Sequence, residues 1–326
     1  MITLNLVYPE KSDIKYRIDE FPDGQQQVVI EEVSLRKASG TLPVQYECDC
    51  IKPSYYPYQI KSRLNNFRDL ELIICATKSL RNLGVKEIHL YTPYFLGSRS
   101  DRQFEEGSNN YLKDVICPIV NSLNFESVTV LDPHSDVLEA CLNNFKKESN
   151  LELVKFTIRE LCGFTHGKNP KVDDFVLVSP DAGASKKIYK LAGEIGYKGD
   201  IITCSKDRDT DGKLTKCEWN LLDSDGQYKY DGYDKDLIII DDICDGGGTF
   251  INMIKSLKKD YSNFLSNKSK IYLIVTHGIF SKGFSELSKY FDGIYCTNSY
   301  SDLKFHPSVN DIIGPSEKFV KQLNVF

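Results

Sequence analysis

The chain has 326 residues, of which 41% are hydrophobic and 27% charged, and its formal net charge is −5. This length suffices for two domains, and the composition is typical of a soluble globular protein. The mild negative charge gives no indication of nucleic-acid or acidic-membrane binding, and no apolar run reaches the roughly 18 residues that a membrane span requires. The first residues lack a basic segment before an apolar stretch, so we expect no signal peptide and a cytoplasmic protein.

Ten cysteines are scattered along the chain without a C-x-x-C pair, and the five histidines do not cluster with them. Several of these cysteines, among them Cys75, Cys117 and Cys204, lie in apolar runs. Buried free thiols in a reducing compartment explain this distribution better than disulfides or a zinc site.

The first half of the chain alternates strand-like and helix-like patterns. An apolar stripe over 60–83, followed by Gly84, predicts a long helix with a glycine cap. The other predicted elements are strands over 2–7, 28–30, 87–91 and 128–131, a turn at 21–25, loops over 36–58 and 92–107, and a helix over 110–123 that Pro118 kinks or shortens.

A polar stretch near residue 150 precedes a second series of strands and helices. The predicted elements there are strands over 175–179, 201–204, 237–241, 271–276 and 293–296, helices over 184–195, 283–290 and 314–325, a helix beginning near 251, and a charged loop or hairpin over 207–236. Strands alternating with helices predict parallel sheets. We therefore expect an α/β fold with two similar domains, each a parallel sheet flanked by helices.

We place the boundary between the two predicted domains at the restart of this pattern. Residues 1–155 form the first domain and residues 156–303 the second. The tail, residues 304–326, is expected to pack back on the first domain.

The most informative stretch is an apolar run that ends in acids and glycines. Residues 237–241 lack polar alternation and are mostly β-branched, which predicts a parallel strand buried on both faces. Behind its acidic end comes a glycine-rich segment, residues 245–249, and then an amphipathic run that predicts a helix. The backbone amides of such a turn point at an anion, and the helix dipole favours negative charge there.

This stretch therefore predicts a sugar-phosphate site. Asp241 and Asp242 lie where strand ends form binding crevices, as candidates to accept hydrogen bonds from two vicinal ribose hydroxyls or to help hold a metal. The alternative is a tight strand-to-helix connection with an N-capping aspartate, but two acids, three glycines and a threonine exceed what capping needs. The predicted phosphate-binding residues are Asp245, Gly246, Gly247, Gly248 and Thr249.

The same stretch resembles the phosphoribosyl-diphosphate (PRPP) binding loop of type I phosphoribosyltransferases and of PRPP synthetases. Further segments resemble PRPP synthetase motifs in the same order, and together they extend over nearly the whole chain. The chain is thus identified as a member of the PRPP synthetase family, which implies two type I phosphoribosyltransferase-like domains. The segments are 21–25, 92–102, 131–135, 178–184, 204–208 and 275–281.

Residues 21–25 resemble the family's Phe-x-Asp-Gly-Glu turn, which contacts the ATP base across a subunit interface. The resemblance implies that Phe21 stacks on adenine and that Asp23 hydrogen-bonds it, with Gln25 at the position of the usual Glu. Taken alone, the segment fits a plain type I turn with Pro and Gly.

Residues 92–102 resemble the family's Pro-Tyr…Arg-Gln-Asp-Arg segment, in which the first Arg touches ATP. Arg99 and Asp101 match this segment, and the planar fork of an Arg suits a phosphate. His134, beside Asp132, matches the His that ligates the magnesium holding the ATP phosphates. The alternatives are a solvated surface loop for the first segment and a structural histidine for the second.

The resemblance also assigns metal-binding and catalytic residues in the second domain. Asp181, in a segment similar to Ser-Pro-Asp-Ala-Gly-Gly, would ligate or orient the metal near the ribose. The implied ion is Mg²⁺, which takes a few hard oxygen ligands and leaves the rest to phosphates and water. Lys206 and Arg208 match the first and third residues of a Lys-Arg-Arg base of a mobile catalytic loop, where they stabilise the transition state.

The implied activity is transfer of the β,γ-diphosphoryl group of ATP to the C1 hydroxyl of a 5-phosphorylated ribose, with release of AMP. PRPP synthetases carry Asp-Thr-x-Gly-Thr where this chain has Gly246 in place of the first Thr. An opened loop would admit a phosphodiester, so ADP-ribose, as in a phage-associated branch that rebuilds NAD, is slightly favoured over ribose 5-phosphate. Further departures from the family pattern are Gln25, Ser100 and Pro133.

Two other functions stay open at this point. A phosphoribosyltransferase would share the sugar-phosphate loop but not the ordered ATP segments of the first domain. A non-catalytic regulatory subunit of a synthetase would keep the fold, although such proteins tend to disrupt the segment that here retains Lys206 and Arg208. The family also implies a homodimer or hexamer with ATP sites shared between subunits.

Overall fold

The computed structural model describes residues 1–33, 55–162, 175–208, 214–221, 235–261, 264–266, 268–303 and 319–326. Most of the predicted loops over 36–58 and 207–236 and most of the tail lie outside the described residues. The chain divides into two compact units, Met1–Ser149 with Val325–Phe326 and Asn150–Asn324.

The first unit contains a five-stranded sheet with the order β1-β4-β5-β6-β7, in which every pair is parallel. The strands are β1 Ile2–Asn5, β4 Tyr58–Lys61, β5 Ile88–Tyr91, β6 Ser127–Leu131 and β7 Phe145–Glu148. Because all five run in one direction, the segments that follow them emerge at one edge of the sheet, which we call the carboxyl edge of the first unit.

Helices and an antiparallel hairpin accompany this sheet. The hairpin pairs β2 Ile14–Glu20 with β3 Gln26–Val33. The longest helix, α1 Phe67–Asn82, begins at Asn66, whose side chain accepts a hydrogen bond from the Asp69 amide. Shorter helices are α2 Cys117–Ser122, which continues a π-helical segment over Leu112–Ile116, and α3 Val137–Cys141.

The core of the first unit joins the sheet to α1. Leu70, Ile73, Ala76 and Leu80, spaced three or four residues apart, are buried on one face of this helix. They pack with strand residues such as Ile60, and each fully buried Leu or Ile side chain stabilises the fold by about 1.5–3 kcal/mol.

The second unit contains a seven-stranded sheet with the order β10-β9-β8-β11-β12-β13-β14. All neighbours are parallel except β10, which pairs antiparallel with β9 at one end of the sheet. The strands are β8 Phe175–Ser179, β9 Ile201–Arg208, β10 Leu214–Trp219, β11 Asp236–Cys244, β12 Ile271–Gly278, β13 Gly293–Thr297 and β14 Val320–Leu323.

Both faces of this second sheet are covered. Along β11, Leu237 and Ile239 belong to one buried cluster, while Ile238 and Ile240 belong to another. Three helices cover the sheet, α4 Leu151–Cys162, α5 Ala182–Glu194 and α6 Gly248–Asp260. The first cluster includes side chains of α6, and the second includes side chains of α4 and α5. The predicted α/β fold with parallel sheets flanked by helices is confirmed.

Two predicted helices contain strands. Residues 58–61, assigned partly to the loop and partly to the start of the long helix, form β4 and pair with both β1 and β5. The predicted final helix is wrong over Val320–Leu323, which pairs parallel with β13 as β14. In both cases a short segment gains its backbone hydrogen bonds from a neighbouring strand, and this tertiary pairing overrides local helix propensity.

Six of the cysteines are described as free thiols, which confirms the thiol prediction for Cys75, Cys117, Cys141, Cys204, Cys244 and Cys296. Among the described residues, no helix combines the length and the apolar character that crossing a bilayer requires.

Candidate functional site

The predicted sugar-phosphate residues lie on and after β11, at the centre of the second sheet. This strand is longer than predicted and ends at Cys244, because it pairs with β12 as far as Gly278. Asp241 and Asp242 are therefore the sixth and seventh residues of the strand rather than the start of a loop. Both acids are held by the regular strand backbone.

Neighbouring residues of a strand point to opposite faces, so the two carboxylates leave β11 in opposite directions. Asp242 is only 7% exposed, whereas Asp241 is half-buried. The Asp241 carboxylate accepts a hydrogen bond of 2.9 Å from the Asp242 amide, which fixes its orientation at the strand end. The pair therefore offers one carboxylate to each side of the strand.

The loop after β11 is tied to the segment that follows β12. The Cys244 carbonyl accepts hydrogen bonds from the amides of Ile279 and Phe280, at 2.9 and 3.2 Å. The Ser281 hydroxyl donates to the Asp245 carboxylate at 2.5 Å. These contacts hold the loop against its neighbour and turn the Asp245 carboxylate toward Ser281.

Gly247 is required at its position for two reasons. Its φ of +76° lies in the left-handed region, which costs other residues about 1–2 kcal/mol. A Cβ at this position would lie 2.7 Å from the Cδ2 atom of Leu287, a residue that is 1% exposed. The turn into α6 therefore depends on this glycine.

The helix that follows presents open backbone donors. Gly247 is the N-cap of α6, and no described side chain caps the helix. The first intrahelical bond comes from Ile251 to the Gly247 carbonyl, so the amides of Gly248, Thr249 and Phe250 precede the helical hydrogen-bond ladder. Together with the helix dipole, these amides favour an anion such as a phosphate.

Gly246 differs from Gly247 because its backbone conformation is open to any residue. A Cβ at this position would lie 3.1, 3.3 and 3.4 Å from the Cδ, Cε and Cγ atoms of Lys282, with no backbone atom closer. The aliphatic stem of Lys282 therefore lies over Gly246. Neither Ser281 nor Lys282 is a predicted site residue, although Ser281 ends the segment 275–281 that resembles a family motif. Their position after β12, the strand beside β11, is the signal that predicts their proximity to the loop.

Asp181 lies one strand away from the acids of β11. It directly precedes α5 and follows β8, which pairs parallel with β11 up to Val178 opposite Ile239. Its carbonyl accepts a hydrogen bond from the Ser179 hydroxyl at 2.8 Å. The strand ends that carry Asp181 and Asp241 are therefore adjacent, at the edge where open α/β sheets form binding crevices.

Lys206 and Arg208 belong to the last part of β9. This part of the strand extends past β8 and pairs with β10, with Lys206 opposite Cys217 and Arg208 opposite Leu214. The sequence predicts a loop or a hairpin over 207–236, and β9 and β10 form a hairpin at the start of that range. The connection between the two strands, residues 209–213, lies outside the described residues.

The remaining predicted site residues belong to the first unit. Phe21, Asp23 and Gln25 are exposed at the tip of the hairpin between β2 and β3. The Phe21 amide donates to the Gln25 carbonyl and the Gly24 amide donates to the Phe21 carbonyl, at 2.9 and 2.8 Å. The hairpin is anchored below its tip, where the Gln26 amide donates to the Glu71 carboxylate of α1 at 3.2 Å. A rigid turn thus presents an aromatic ring, 49% exposed, to solvent.

Arg99 and Asp101 lie in the loop after β5. This loop begins with the buried residues Tyr94 and Phe95 and turns at Gly97, which has a φ of +80°. Arg99 is exposed, whereas the Asp101 side chain is only 11% exposed. The buried residues thus hold the start of the loop in place, and the Arg99 side chain extends from it into solvent.

His134 lies in the segment after β6, the strand next to β5. The Thr92 amide donates to the Thr129 carbonyl and the Leu131 amide donates to the Pro93 carbonyl, at 3.0 and 3.1 Å. These bonds hold the two segments together at the carboxyl edge of the first unit. His134 is exposed, while Asp132 is fully buried with a φ of +45°. Arg99 and His134 thus follow neighbouring strands, β5 and β6.

Burial raises the pKa of two groups close to the predicted site residues. The Cys244 thiol, at the end of β11, has a raised pKa because it is buried and lies near the carboxylates of Asp241 and Asp245. The Tyr91 hydroxyl, at the end of β5, has a raised pKa because of burial and of the nearby Glu148 carboxylate. Both groups stay protonated at neutral pH, so neither is a nucleophile or a base there.

The described residues contain no group of three or more His, Cys, Asp or Glu side chains placed to hold a metal ion. The hard oxygens near the β8 and β11 strand ends, from Asp181 and Asp241, still suit Mg²⁺, which binds through one or two carboxylates and fills its remaining positions with phosphate oxygens and water. His134 lies in the other unit.

No protein-family model matches the chain. Among curated proteins, it is 26% identical over 240 residues to the ribose-phosphate pyrophosphokinase of Mycoplasmopsis pulmonis, covering 72% of this chain and 65% of that protein. It is 24% identical over 288 residues to the ribose-phosphate pyrophosphokinase of Thermococcus kodakarensis, covering 88% of this chain and 86% of that protein. The chain thus spans just under two thirds of the first relative and most of the second.

A solved structure agrees with these alignments at the level of the fold. The crystal structure of phosphoribosylpyrophosphate synthetase from Mycobacterium smegmatis matches with a TM-score of 0.66 at 16% identity, covering 95% of this chain and 86% of that chain. The chain is therefore a distant homologue of the ribose-phosphate pyrophosphokinases (PRPP synthetases), an enzyme family, with 24–26% identity to the two curated members named here.

Proposed function

We propose that the protein is a Mg²⁺-dependent diphosphokinase that transfers the β,γ-diphosphoryl group of ATP to the C1 hydroxyl of a 5-phosphorylated ribose. The observation that carries this proposal is the central strand of the second unit, where two acids lead into a glycine turn and an uncapped helix. This arrangement suits a molecule with vicinal hydroxyls next to a phosphate.

In this proposal, Asp241 and Asp242 hold the ribose hydroxyls, one carboxylate from each face of the strand end, and residues 245–249 bind the phosphate. The half-buried Asp241 carboxylate accepts hydrogen bonds in a low-dielectric surrounding, where a bond between a hydroxyl and a charged acceptor is stronger than in water. The turn at Gly247 brings the backbone amides at the start of α6 to the phosphate.

The reaction is a displacement at phosphorus. The anomeric oxygen of the ribose forms a bond to the β-phosphorus, the bond from that phosphorus to the α,β-bridging oxygen breaks, and AMP leaves with the bonding electrons. Lys206 and Arg208 approach the transferring group and offset its negative charge. Asp181 in the second unit and His134 in the first are each a proposed ligand of Mg²⁺, which would neutralise phosphate charge. We assign no general base.

The first unit binds ATP in this proposal. Phe21 stacks on the adenine, Asp23 and Gln25 contact its edge, and Arg99 binds phosphate beside Asp101 and His134. The exposed hairpin tip is suited to reach into the site of a neighbouring subunit, in a dimer or hexamer that shares ATP sites. Sedimentation combined with activity measurements tests this assembly, because a fully active monomer contradicts a shared site.

We propose ADP-ribose as the acceptor, slightly ahead of ribose 5-phosphate. The support is Gly246, because its missing side chain leaves room for the stem of Lys282, a cationic residue, beside the phosphate loop. Its backbone needs no glycine, so the small residue is not explained by the turn. The product would be ADP-ribose 1-diphosphate, an intermediate suited to rebuilding NAD.

The experiment is AMP release from ATP and Mg²⁺, with ADP-ribose and ribose 5-phosphate as parallel acceptors and the product identified by mass. AMP release with either acceptor, in the absence of any nucleobase, supports the diphosphokinase and excludes a phosphoribosyltransferase. Activity with ribose 5-phosphate alone overturns the ADP-ribose assignment. If AMP is released with neither acceptor, the protein behaves as expected of a non-catalytic regulatory subunit, and the proposal is overturned.

A further inference from the structure

Lys282 is placed over the phosphate loop of the second unit in a way that the proposed function does not use. Its Cδ, Cε and Cγ atoms lie 3.1, 3.3 and 3.4 Å from the position that a Cβ of Gly246 would occupy. The lysine stem therefore fills the space next to the loop that a side chain at position 246 would need. Gly246 and Lys282 form a complementary pair.

The base of this lysine is fixed to the loop. The neighbouring Ser281 hydroxyl donates to the Asp245 carboxylate at 2.5 Å, and the amides of Ile279 and Phe280 donate to the Cys244 carbonyl. Three successive contacts thus align the segment that carries Lys282 with the segment that carries Gly246. A lysine held this way samples fewer positions than a lysine on a free loop.

The ammonium group of Lys282 is available for a ligand. Its side chain is exposed, and it forms no ion pair or hydrogen bond with any residue in the parts of the chain that the structure describes. By contrast, Lys289, seven positions later, pairs with the Glu286 carboxylate. A cation beside uncapped backbone amides at a helix start adds to their attraction for an anion.

We propose that Lys282 binds the acceptor and recognises the outer phosphoryl group of a diphosphate, the one farther from the ribose. This inference rests on the proposed function of the loop. It assigns the acceptor class as a ribose carrying a 5-diphosphate, of which ADP-ribose is one member, and makes the Gly246–Lys282 pair the determinant of that class.

The assignment to the outer phosphoryl group rests on how far the Lys282 side chain extends from the loop. The lysine nitrogen lies farther from the Gly246 Cβ position than the three stem carbons do, whereas a hydroxyl on that Cβ would be bonded to it. A charge at this greater distance suits a phosphoryl group one step beyond the group bound by the backbone amides. Lysine is a compact, strongly hydrated point charge on a flexible stem, a form that suits a solvated diphosphate.

The test is calorimetric titration of the full-length protein with ADP-ribose and, separately, ribose 5-phosphate, without ATP. The variant Lys282→Met keeps most of the stem and removes the charge, and Lys289→Met removes a charge from the same segment as a matched control. We expect Lys282→Met to weaken ADP-ribose binding about tenfold to a hundredfold and ribose 5-phosphate binding less than threefold. Lys282→Arg and Lys289→Met should bind both ligands like the wild type.

The other outcomes are equally informative. Unchanged ADP-ribose binding by Lys282→Met overturns the lysine assignment alone and leaves the proposed function standing. An equal loss for both acceptors places Lys282 on the inner phosphate and overturns the diphosphate assignment. A wild-type protein that binds neither acceptor overturns the proposed function and this inference with it.

A second variant tests the pair from the other side. Gly246→Thr adds a Cβ where the lysine stem lies, so the stem must move away, while the backbone conformation of residue 246 is open to threonine. We expect a loss of ADP-ribose affinity with an unchanged or improved affinity for ribose 5-phosphate. A variant that binds both acceptors as the wild type does contradicts the pairing, and its melting temperature verifies that it is folded.

Discussion

The carboxyl edges of the two parallel sheets differ in how their polar groups are brought together. In the second unit, nine consecutive residues, 241–249, supply three acids, a left-handed turn and the open amides of a helix. In the first unit, the predicted ligands come from a loop near Arg99 and a strand end near His134 at this edge, and from the tip of a separate hairpin near Phe21, all separated by tens of residues.

This difference teaches which kind of site a sequence reveals by itself. Where one strand, one turn and one helix carry the chemistry, the spacing of residues fixes the geometry, because backbone conformation is local. Where three separate elements contribute, their proximity depends on strand order. The second unit is thus expected to hold the acceptor and determine turnover, and the first unit is expected to determine affinity for ATP.

The largest expected effect is on turnover. Lys206→Ala should lower kcat about 10²- to 10³-fold with little change in the KM for either substrate, because a charge that acts on the transition state is lost. Lys198→Ala, which removes an exposed lysine just before β9, is the matched control and should retain full activity. Steady-state kinetics of AMP release measure kcat and KM for both variants. If Lys206→Ala changes only KM, Lys206 has no role in the chemical step.

The next largest effect is on the stability of the turn after β11 in the second unit. Gly247→Ala should lower the free energy of unfolding by about 2–3 kcal/mol, because it combines a left-handed backbone with a Cβ 2.7 Å from Leu287. Gly248→Ala is the contrast, since no atom lies within 4 Å of its Cβ position and alanine favours helix. Urea denaturation of both variants measures the difference. Equal stabilities would mean that the turn is not constrained as described.

A smaller effect should separate the first unit from the second. Phe21→Ala should raise the KM for ATP about tenfold while leaving the acceptor KM and the unfolding free energy unchanged, because the exposed ring contributes base stacking and little to the fold. Ile18→Ala removes a second exposed apolar side chain, 39% exposed, from the same hairpin and serves as control. A raised KM for the acceptor in Phe21→Ala would contradict the assignment of ATP binding to the first unit and acceptor binding to the second.

The smallest effect concerns Tyr58, a fully buried residue at the start of β4. Burial raises the pKa of its hydroxyl to about 12, and this hydroxyl has no hydrogen-bond partner among the described residues. Tyr58→Phe should therefore raise the unfolding free energy at pH 7 by about 1 kcal/mol or leave it unchanged. Guanidinium denaturation provides the measurement.

The pH dependence of the same pair of proteins has a defined sign. The unfolded chain releases a tyrosine proton near pH 10, whereas the folded state retains the Tyr58 proton up to about pH 12. The unfolded state then binds fewer protons, so the stability that is fully present below pH 10 is lost as the pH rises toward 12. The slope of unfolding free energy against pH should be shallower for Tyr58→Phe, and identical slopes would contradict the raised pKa.

The sequence by itself determined the class of the fold and the strand, turn and helix that carry the candidate site on β11. Hydrophobic runs without alternation marked a strand covered on both faces, and Leu237 and Ile239 do lie in a different buried cluster from Ile238 and Ile240. The strand, turn and helix of residues 236–260 were readable because their signals, β-branched residues, glycines and an amphipathic repeat, act within a few residues of one another.

Tertiary structure alone decided the short strands and the partners of the loop. Residues 58–61 and 320–323 are strands because a neighbouring strand satisfies their backbone hydrogen bonds, and no local pattern distinguishes them from loop or helix. The same holds for Lys282 and Leu287, which contact Gly246 and Gly247 from more than 35 positions away in the chain. These contacts follow from β12 lying beside β11, and strand order is a property of the whole packed sheet rather than of any one segment.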